Sequence, residues 1–263
     1  MKRLIVFDLD GTLAESKSAL DAETAGLLAG LLAVVKVAII SGGAWAQFEK
    51  QILPFLPPEA RLADLSLLPT CGTTFFRYGQ GANPGGWTAL YADNLSPAEK
   101  AEIIDALTQA LKQSGFSPDR LWGEQIEDRG GQITLSALGQ AAPLEAKQAW
   151  DPDYSKRKAL RAMLLTALPR FSIQIGGSTS LDVTRPGIDK AYGIGRLAEA
   201  LAIPVAEMIY VGDALFPGGN DFAARRTGVA CIPVANPRET RRVIDAITAC
   251  LAPEAPATHP PGP

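Results

Sequence analysis

The sequence predicts an α/β protein: a doubly wound parallel-sheet core of Rossmann-like type, interrupted by an inserted α+β cap domain. Three observations lead there. The apolar run of residues 4–7 passes directly into Asp8-Leu9-Asp10-Gly11. Strand and helix signals alternate at both ends of the chain, and the middle of the chain loses that alternation.

Taken in order, residues 4–7 have the length and β-branched content of a parallel strand's interior, and Gly11-Thr12 mark the exit at its carboxyl end. Ligands bind at that edge of open α/β sheets. Residues 22–33 read as a helix, 34–40 as a buried strand ending in Ser41-Gly42-Gly43, and 44–52 as a second helix. A Gly/Pro-rich stretch, 79–86, punctuates the chain. A charged helix over 97–114, a strand over 131–138, a helix over 155–167 and strands over 171–176 and 180–184 form the insert. The alternation resumes with a helix over 190–201, a strand over 207–212, a loop, a helix near 222–226 and a strand over 228–233. The expected division is a discontinuous core of residues 1–82 plus 187–251, a cap of 83–186, and a disordered Pro-rich tail of 252–263.

Composition narrows the function. A chain of 263 residues, 47% hydrophobic, buries a full core, and a formal charge of −3 lacks the basic excess of a nucleic-acid binder. There is no run of eighteen apolar residues, and the N-terminus enters a strand at once. Neither a membrane span nor a signal peptide is expected, and a cytoplasmic location is the default. Cys71, Cys231 and Cys250 are odd in number and scattered, as reduced thiols would be. The single histidine, His259, lies in the Pro-rich tail, so carboxylates must carry any acid–base work.

Asp8 and Asp10, two apart at a strand end, suit a division of labour in which Asp8 attacks or ligates a cation and Asp10 moves a proton. A turn or helix N-cap is the alternative use of such residues. Ser41, Gly42 and Gly43 offer a hydroxyl and free N–H groups for phosphate oxygens, or a simple turn. Lys190 heads a helix, where the dipole disfavours a cation, and so implies an anionic partner unless it is a solvated surface lysine. Asp213 ends another buried strand, and the following loop adds Asn220 and Asp221. Oxygen ligands without His or Cys suit Mg²⁺.

In order and context these segments resemble the haloacid dehalogenase superfamily. The resemblance implies Asp8 as nucleophile, Asp10 as general acid/base, Ser41 and Lys190 holding the transferring phosphoryl, and Mg²⁺ on Asp8, the Asp10 carbonyl and Asp213, with Asn220 and Asp221 near it. The stretches 171–183, 187–190 and 216–221, with Ile126-Glu127-Asp128-Arg129-Gly130-Gly131, are similar to the eukaryotic-type phosphomannomutases. That likeness makes Arg129, Ser180 and Asp182 substrate-recognition residues, although an arginine in a surface turn and a half-buried strand would look the same. Where the family carries further cap arginines, Trp122 and Gln140 stand. Losing two guanidinium groups weakens the hold on a second phosphate, so the expectation here is a Mg²⁺-dependent phosphatase acting on a small phosphomonoester such as a sugar phosphate. A phosphomannomutase-like transfer between sugar hydroxyls is the alternative, and a catalytically idle binding module a remote one. The expected partner is the small phosphorylated substrate, with no nucleic acid or membrane; a homodimer is left open.

Overall fold

The computed structural model describes residues 1–80, 85–116, 118–177 and 179–252. The expected tail beyond Ala252, with His259, lies outside the described residues, as do positions 81–84 of the Gly/Pro-rich stretch. The elements are β1 (Leu4–Asp8), α1 (Ala22–Val34), β2 (Lys36–Ile40), α2 (Trp45–Gln51), β3 (Leu65–Leu68), β4 (Thr74–Tyr78), β5 (Trp87–Ala92), α3 (Pro97–Ser114), β6 (Ile126–Asp128), β7 (Gln132–Ser136), α4 (Leu144–Trp150), α5 (Ser155–Ala167), β8 (Ser172–Ile175), β9 (Ser180–Thr184), α6 (Lys190–Leu201), β10 (Met208–Gly212), β11 (Ala230–Pro233) and α7 (Pro237–Leu251).

Seven strands form the larger sheet in the order β11-β10-β1-β2-β3-β4-β5. The run from β11 to β3 is parallel, whereas β4 and β5 pair antiparallel. Alternation along the central strands feeds two cores. Ile5, Phe7, Val37 and Ile39 pack on one face with Leu28 and Leu32 of α1 and Ile244 of α7. Leu4, Val6, Ala38 and Ile40 pack on the other with Ile194 and Leu197 of α6. Each such side chain contributes about 1.5–3 kcal/mol when fully buried, and residues apolar on both faces leave the strand no solvent side.

The inserted unit has its own sheet, β6-β7-β9-β8, antiparallel throughout. One face carries Ile133, Leu135, Leu181 and Val183 against α3 and α5 through Ile103, Leu107, Leu160 and Leu164. The opposite face carries cross-strand pairs of polar residues: Gln132 with Thr184, Thr134 with Asp182, and Ser136 with Ser180. The strand period of two therefore splits the sheet into a core side and a chemical side.

The structure moves several expected boundaries. The division at residues 82/83 falls inside the hairpin β4–β5, whose second strand belongs to the larger sheet through pairs such as Phe75 with Tyr91. The crossings lie instead near 93–96 and 185–189, where Arg185 pairs with Glu99 and donates to the Asn94 carbonyl at 3.0 Å. The short β3 and the half-exposed edge strand β5 carry too little alternation to be read from sequence. The expected helix near 222–226 is a 3₁₀ helix, Phe222–Thr227, closed by Gly228 in the left-handed region at φ 79°. α4 and α7 also lie outside the elements the sequence predicts. For α7 a signal was present in Asn236-Pro237, an N-cap whose side chain accepts from the Glu239 amide. No helix among the described residues is long and apolar enough to cross a membrane.

Within the cap, Arg157 is buried and donates through Nε to Asp151 Oδ2 at 2.6 Å and through Nη1 to the Gly177 carbonyl, next to the turn that leads into β9. Arg157→Leu leaves the Asp151 carboxylate buried without its cation. Chemical denaturation should show a loss of about 3–5 kcal/mol.

Candidate active site

Three parallel strands bring three side chains to one edge. Asp8 ends β1, Asp213 follows β10, and Ser41 follows β2; β10 and β2 flank β1 on either side. The chain leaves β1 through Gly11, whose φ of 86° favours glycine. A Cβ there would also stand 2.6 Å from Asp213 Oδ2, so glycine lets the two aspartate-bearing segments approach. Thr12, fully buried, joins them: its hydroxyl donates to Asp213 Oδ1 at 3.2 Å and accepts from the Asp213 amide at 3.0 Å. Nothing in residue type marked Thr12 beforehand as more than part of the turn.

Lys190, only 1% exposed, lies at the centre. Its ammonium donates to Asp8 Oδ1 at 2.5 Å and to Asp221 Oδ1. Asp221 also accepts from the Tyr210 hydroxyl at 2.5 Å and from the Ala214 amide at 2.9 Å. Lys190 is the first residue of α6, and the Asp189 side chain caps that helix by accepting from the Ala191 and Tyr192 amides. The anionic partners that offset the helix dipole are thus the carboxylates of Asp8 and Asp221. Burial pushes the Asp8 carboxyl upward, with Asp221 and Asp213 adding to the shift, while Lys190 pulls it down. Burial followed by the Asp221 charge raises Asp213 as well.

Asp8, Asp213 and Asp221 offer carboxylate oxygens within 4.8 Å of one another. Three carboxylates against the single Lys190 ammonium leave an excess of negative charge in a buried space, and all donors are oxygen. That donor set fits a hard divalent cation. The Asp10 carboxylate is not among these oxygens: it accepts from the Lys17 amide at 2.6 Å and from Gln47 Nε2 at 2.7 Å. Of the expected metal-side residues, Asn220 lies exposed beside the buried Asp221. Ser41 is buried, and its Oγ accepts from the Gly43 amide at 3.0 Å, ordering the Ser41-Gly42-Gly43 turn. Burial pushes the Cys71 thiol up to about 12.

The polar face of the cap sheet closes on this edge. Arg129 Nη1 donates to the Gly42 carbonyl at 3.1 Å and Gln132 Nε2 to the same oxygen at 3.3 Å. Arg129 also pairs with Glu127 at 2.6 Å. Asp182 accepts from Thr134 at 2.7 Å, and burial raises its carboxyl against the pull of Arg129. Ser180 lies two residues from Asp182 on β9 and so shares its face. Trp122 stacks under the Arg120 guanidinium, 5.0 Å from ring centre, and Gln140 holds a buried side-chain nitrogen without a hydrogen-bond partner. Gln47, Gln132, Thr134 and Tyr210 were not singled out in sequence, because each acquires its role only through a contact made across the fold.

The sequence profile of the family described as "Eukaryotic phosphomannomutase" matches residues 103–250. A phosphomannomutase of Encephalitozoon cuniculi is 25% identical over 93% of this chain and 93% of its own length. Among solved structures, the N-terminally truncated IMP-nucleotidase of Plasmodium falciparum superposes with a TM-score of 0.67 at 18% identity, covering 94% of this chain and 70% of that one. A haloacid dehalogenase-like hydrolase from Bacteroides thetaiotaomicron gives 0.61 at 16% identity, covering 94% and 100%. Both structural likenesses concern the fold.

The carboxylate excess makes a stability prediction. A divalent cation at 100-fold over its Kd should raise unfolding stability by about 2.7 kcal/mol. Thermal denaturation should register that gain in the wild type and lose it in Asp213→Ala. An unchanged midpoint on adding Mg²⁺ to the wild type would rule out a metal centre at these residues.

Proposed function

Because this chain belongs to the eukaryotic phosphomannomutase family, within the haloacid dehalogenase superfamily of phosphotransferases and phosphatases, we propose that it moves a phosphoryl group between hydroxyls of a sugar phosphate through an aspartyl phosphate on Asp8. The sequence alone pointed first to hydrolysis. The names of the relatives favour transfer. The observation that carries the reading is the buried Asp8–Lys190–Asp221 network with the cap hydrogen-bonded to the turn beside it.

Asp8 Oδ attacks phosphorus in line, forming the acyl phosphate as the bond to the sugar oxygen breaks. Asp10, oriented by the Lys17 amide and Gln47, gives its proton to the leaving oxygen and later takes one from the hydroxyl that accepts the phosphoryl. Lys190 offsets charge on the equatorial oxygens, and the Ser41-Gly42-Gly43 turn supplies further donors. Mg²⁺, for which Asp8, Asp213 and Asp221 are the fitting ligands, would neutralise charge that develops on the phosphoryl. Arg129, Ser180 and Asp182 line the cap side and would hold the rest of the sugar. Contacts of Arg129 and Gln132 with Gly42 keep the cap against the core, and exclusion of water is what turns a phosphatase into a mutase.

Hydrolysis stays the second reading on one specific observation, Trp122 and Gln140 in place of cap arginines. Incubation with mannose 1-phosphate and a catalytic amount of hexose 1,6-bisphosphate separates the two: a mutase yields mannose 6-phosphate, whereas phosphate release that is indifferent to the bisphosphate overturns the transfer reading.

Asp8→Asn should abolish turnover with the fold retained, because an amide cannot form the acyl phosphate. Asp10→Asn should slow turnover by roughly 10²–10⁴, with the deficit growing as the leaving group becomes more basic. Steady-state kinetics on aryl and sugar phosphates, with circular dichroism for the fold, check both.

A further inference from the structure

The turn that leaves β2 is held by its carbonyls. That of Ser41 accepts from the Cys71 amide at 2.8 Å and that of Gly43 from the Thr70 amide at 2.9 Å, both donors in the core. The Gly42 carbonyl lies between them, and among the described residues its donors come from the cap, Arg129 Nη1 and Gln132 Nε2. Cap and core approach closely here. A Cβ on Gly131 would collide with the Thr73 side chain, so glycine lets the start of β7 reach the turn.

Gln132 differs from Arg129 in where its bonds continue. It is buried, and because a carbonyl only accepts, the atom facing Gly42 is the amide nitrogen. The same nitrogen donates to Thr134 Oγ1 at 2.9 Å, and Thr134 spends its own proton on Asp182 Oδ1 at 2.7 Å. Arg129, by contrast, is tied to Glu127. On the core side, the Gly42 carbonyl and the Gly43 amide belong to one trans peptide unit and point opposite ways. That amide donates to Ser41 Oγ at 3.0 Å, and a hydroxyl oxygen that accepts there turns its proton elsewhere. The run from Asp182 through Thr134, Gln132 and the Gly42–Gly43 peptide to Ser41 thus has every donor fixed.

We propose that Gln132 is a positioning residue for phosphoryl binding: by pinning the Gly42 carbonyl it sets the Gly43 amide on Ser41 Oγ and leaves the Ser41 proton to the transferring phosphoryl. This rests on the reading above that Ser41 contacts the phosphoryl, and adds the group that aims it. Because Gln132 belongs to the cap, the turn is complete only with the cap seated on the core. Thr134 and Asp182 fix the rotation of the Gln132 amide from behind.

The test is a double-mutant cycle on the full chain, read as kcat/KM for an aryl phosphate with Mg²⁺, a substrate that carries a phosphoryl group and no sugar. Gln132→Met keeps the side-chain length and removes both donors. It should lower kcat/KM about three- to tenfold, the worth of one hydrogen bond, with circular dichroism unchanged. In Ser41→Ala the same substitution should cost nothing further, since its effect passes through the hydroxyl. Thr134→Val, which takes away the acceptor that orients the amide, should show the same dependence on Ser41. An equal loss from Gln132→Met in both backgrounds overturns the positioning role, because damage to the fold or to cap seating does not depend on Ser41. An unchanged kcat/KM in the single variant overturns it too. A Ser41→Ala variant as active as wild type would remove the reading of Ser41 as a phosphoryl ligand, and the proposal with it. If the wild type leaves the aryl phosphate intact, the transfer reading falls, and calorimetric titration with inorganic phosphate and Mg²⁺ reads the same cycle: non-additive losses of affinity support the positioning role and additive ones overturn it.

Discussion

The buried ammonium of Lys190 is the constraint around which the molecule is built. An ammonium that is 1% exposed has lost nearly all its water, a loss of several kcal/mol that only close anions offset. Those anions come from the first strand and from the loop after β10, so the pair Lys190–Asp8 and Lys190–Asp221 closes the core around the whole insert. Tyr210 and the Ala214 amide then occupy the remaining acceptors of Asp221. Removing any one member would strand the others in a medium of low dielectric, which is why the chemistry and the fold are not separable here.

The inserted unit solves a different problem. Its four-stranded sheet must bury one face to exist and must keep the other polar to work. The strand period of two does both, with Ile133, Leu135, Leu181 and Val183 turned to α3 and α5 while Gln132, Thr134 and Asp182 turn to the core. Arg157 then fixes the turn that leads into β9 from beneath. Only two crossings join this unit to the larger sheet, and a small number of donors, Arg129 and Gln132 above all, reach Gly42. Each such hydrogen bond contributes about 0.5–3 kcal/mol.

Charge at the seam follows the same economy. Carboxylates in the metal-type cluster are in excess over the single Lys190 cation, while between core and cap Arg129 reaches the Gly42 carbonyl. A divalent cation would satisfy the carboxylate excess.

What the sequence by itself determined was local. Asp8, Asp10, Ser41, Lys190 and Asp213 were legible because each stands at a strand end or helix start, and the apolar strands before Asp8, Ser41 and Asp213 had no alternative to a parallel interior. α3, α5 and β9 were legible from the polar and apolar pattern of their own residues. Tertiary structure alone decided that β5 belongs to the larger sheet, since an edge strand with weak alternation takes its place from its neighbour β4. It decided that the Asp10 oxygens are held by Gln47 and the Lys17 amide. It also set Thr12 against Asp213. Each of these depends on a contact between residues distant in the chain, and a hydrogen bond or ion pair of that kind has no period, spacing or composition by which a sequence could announce it.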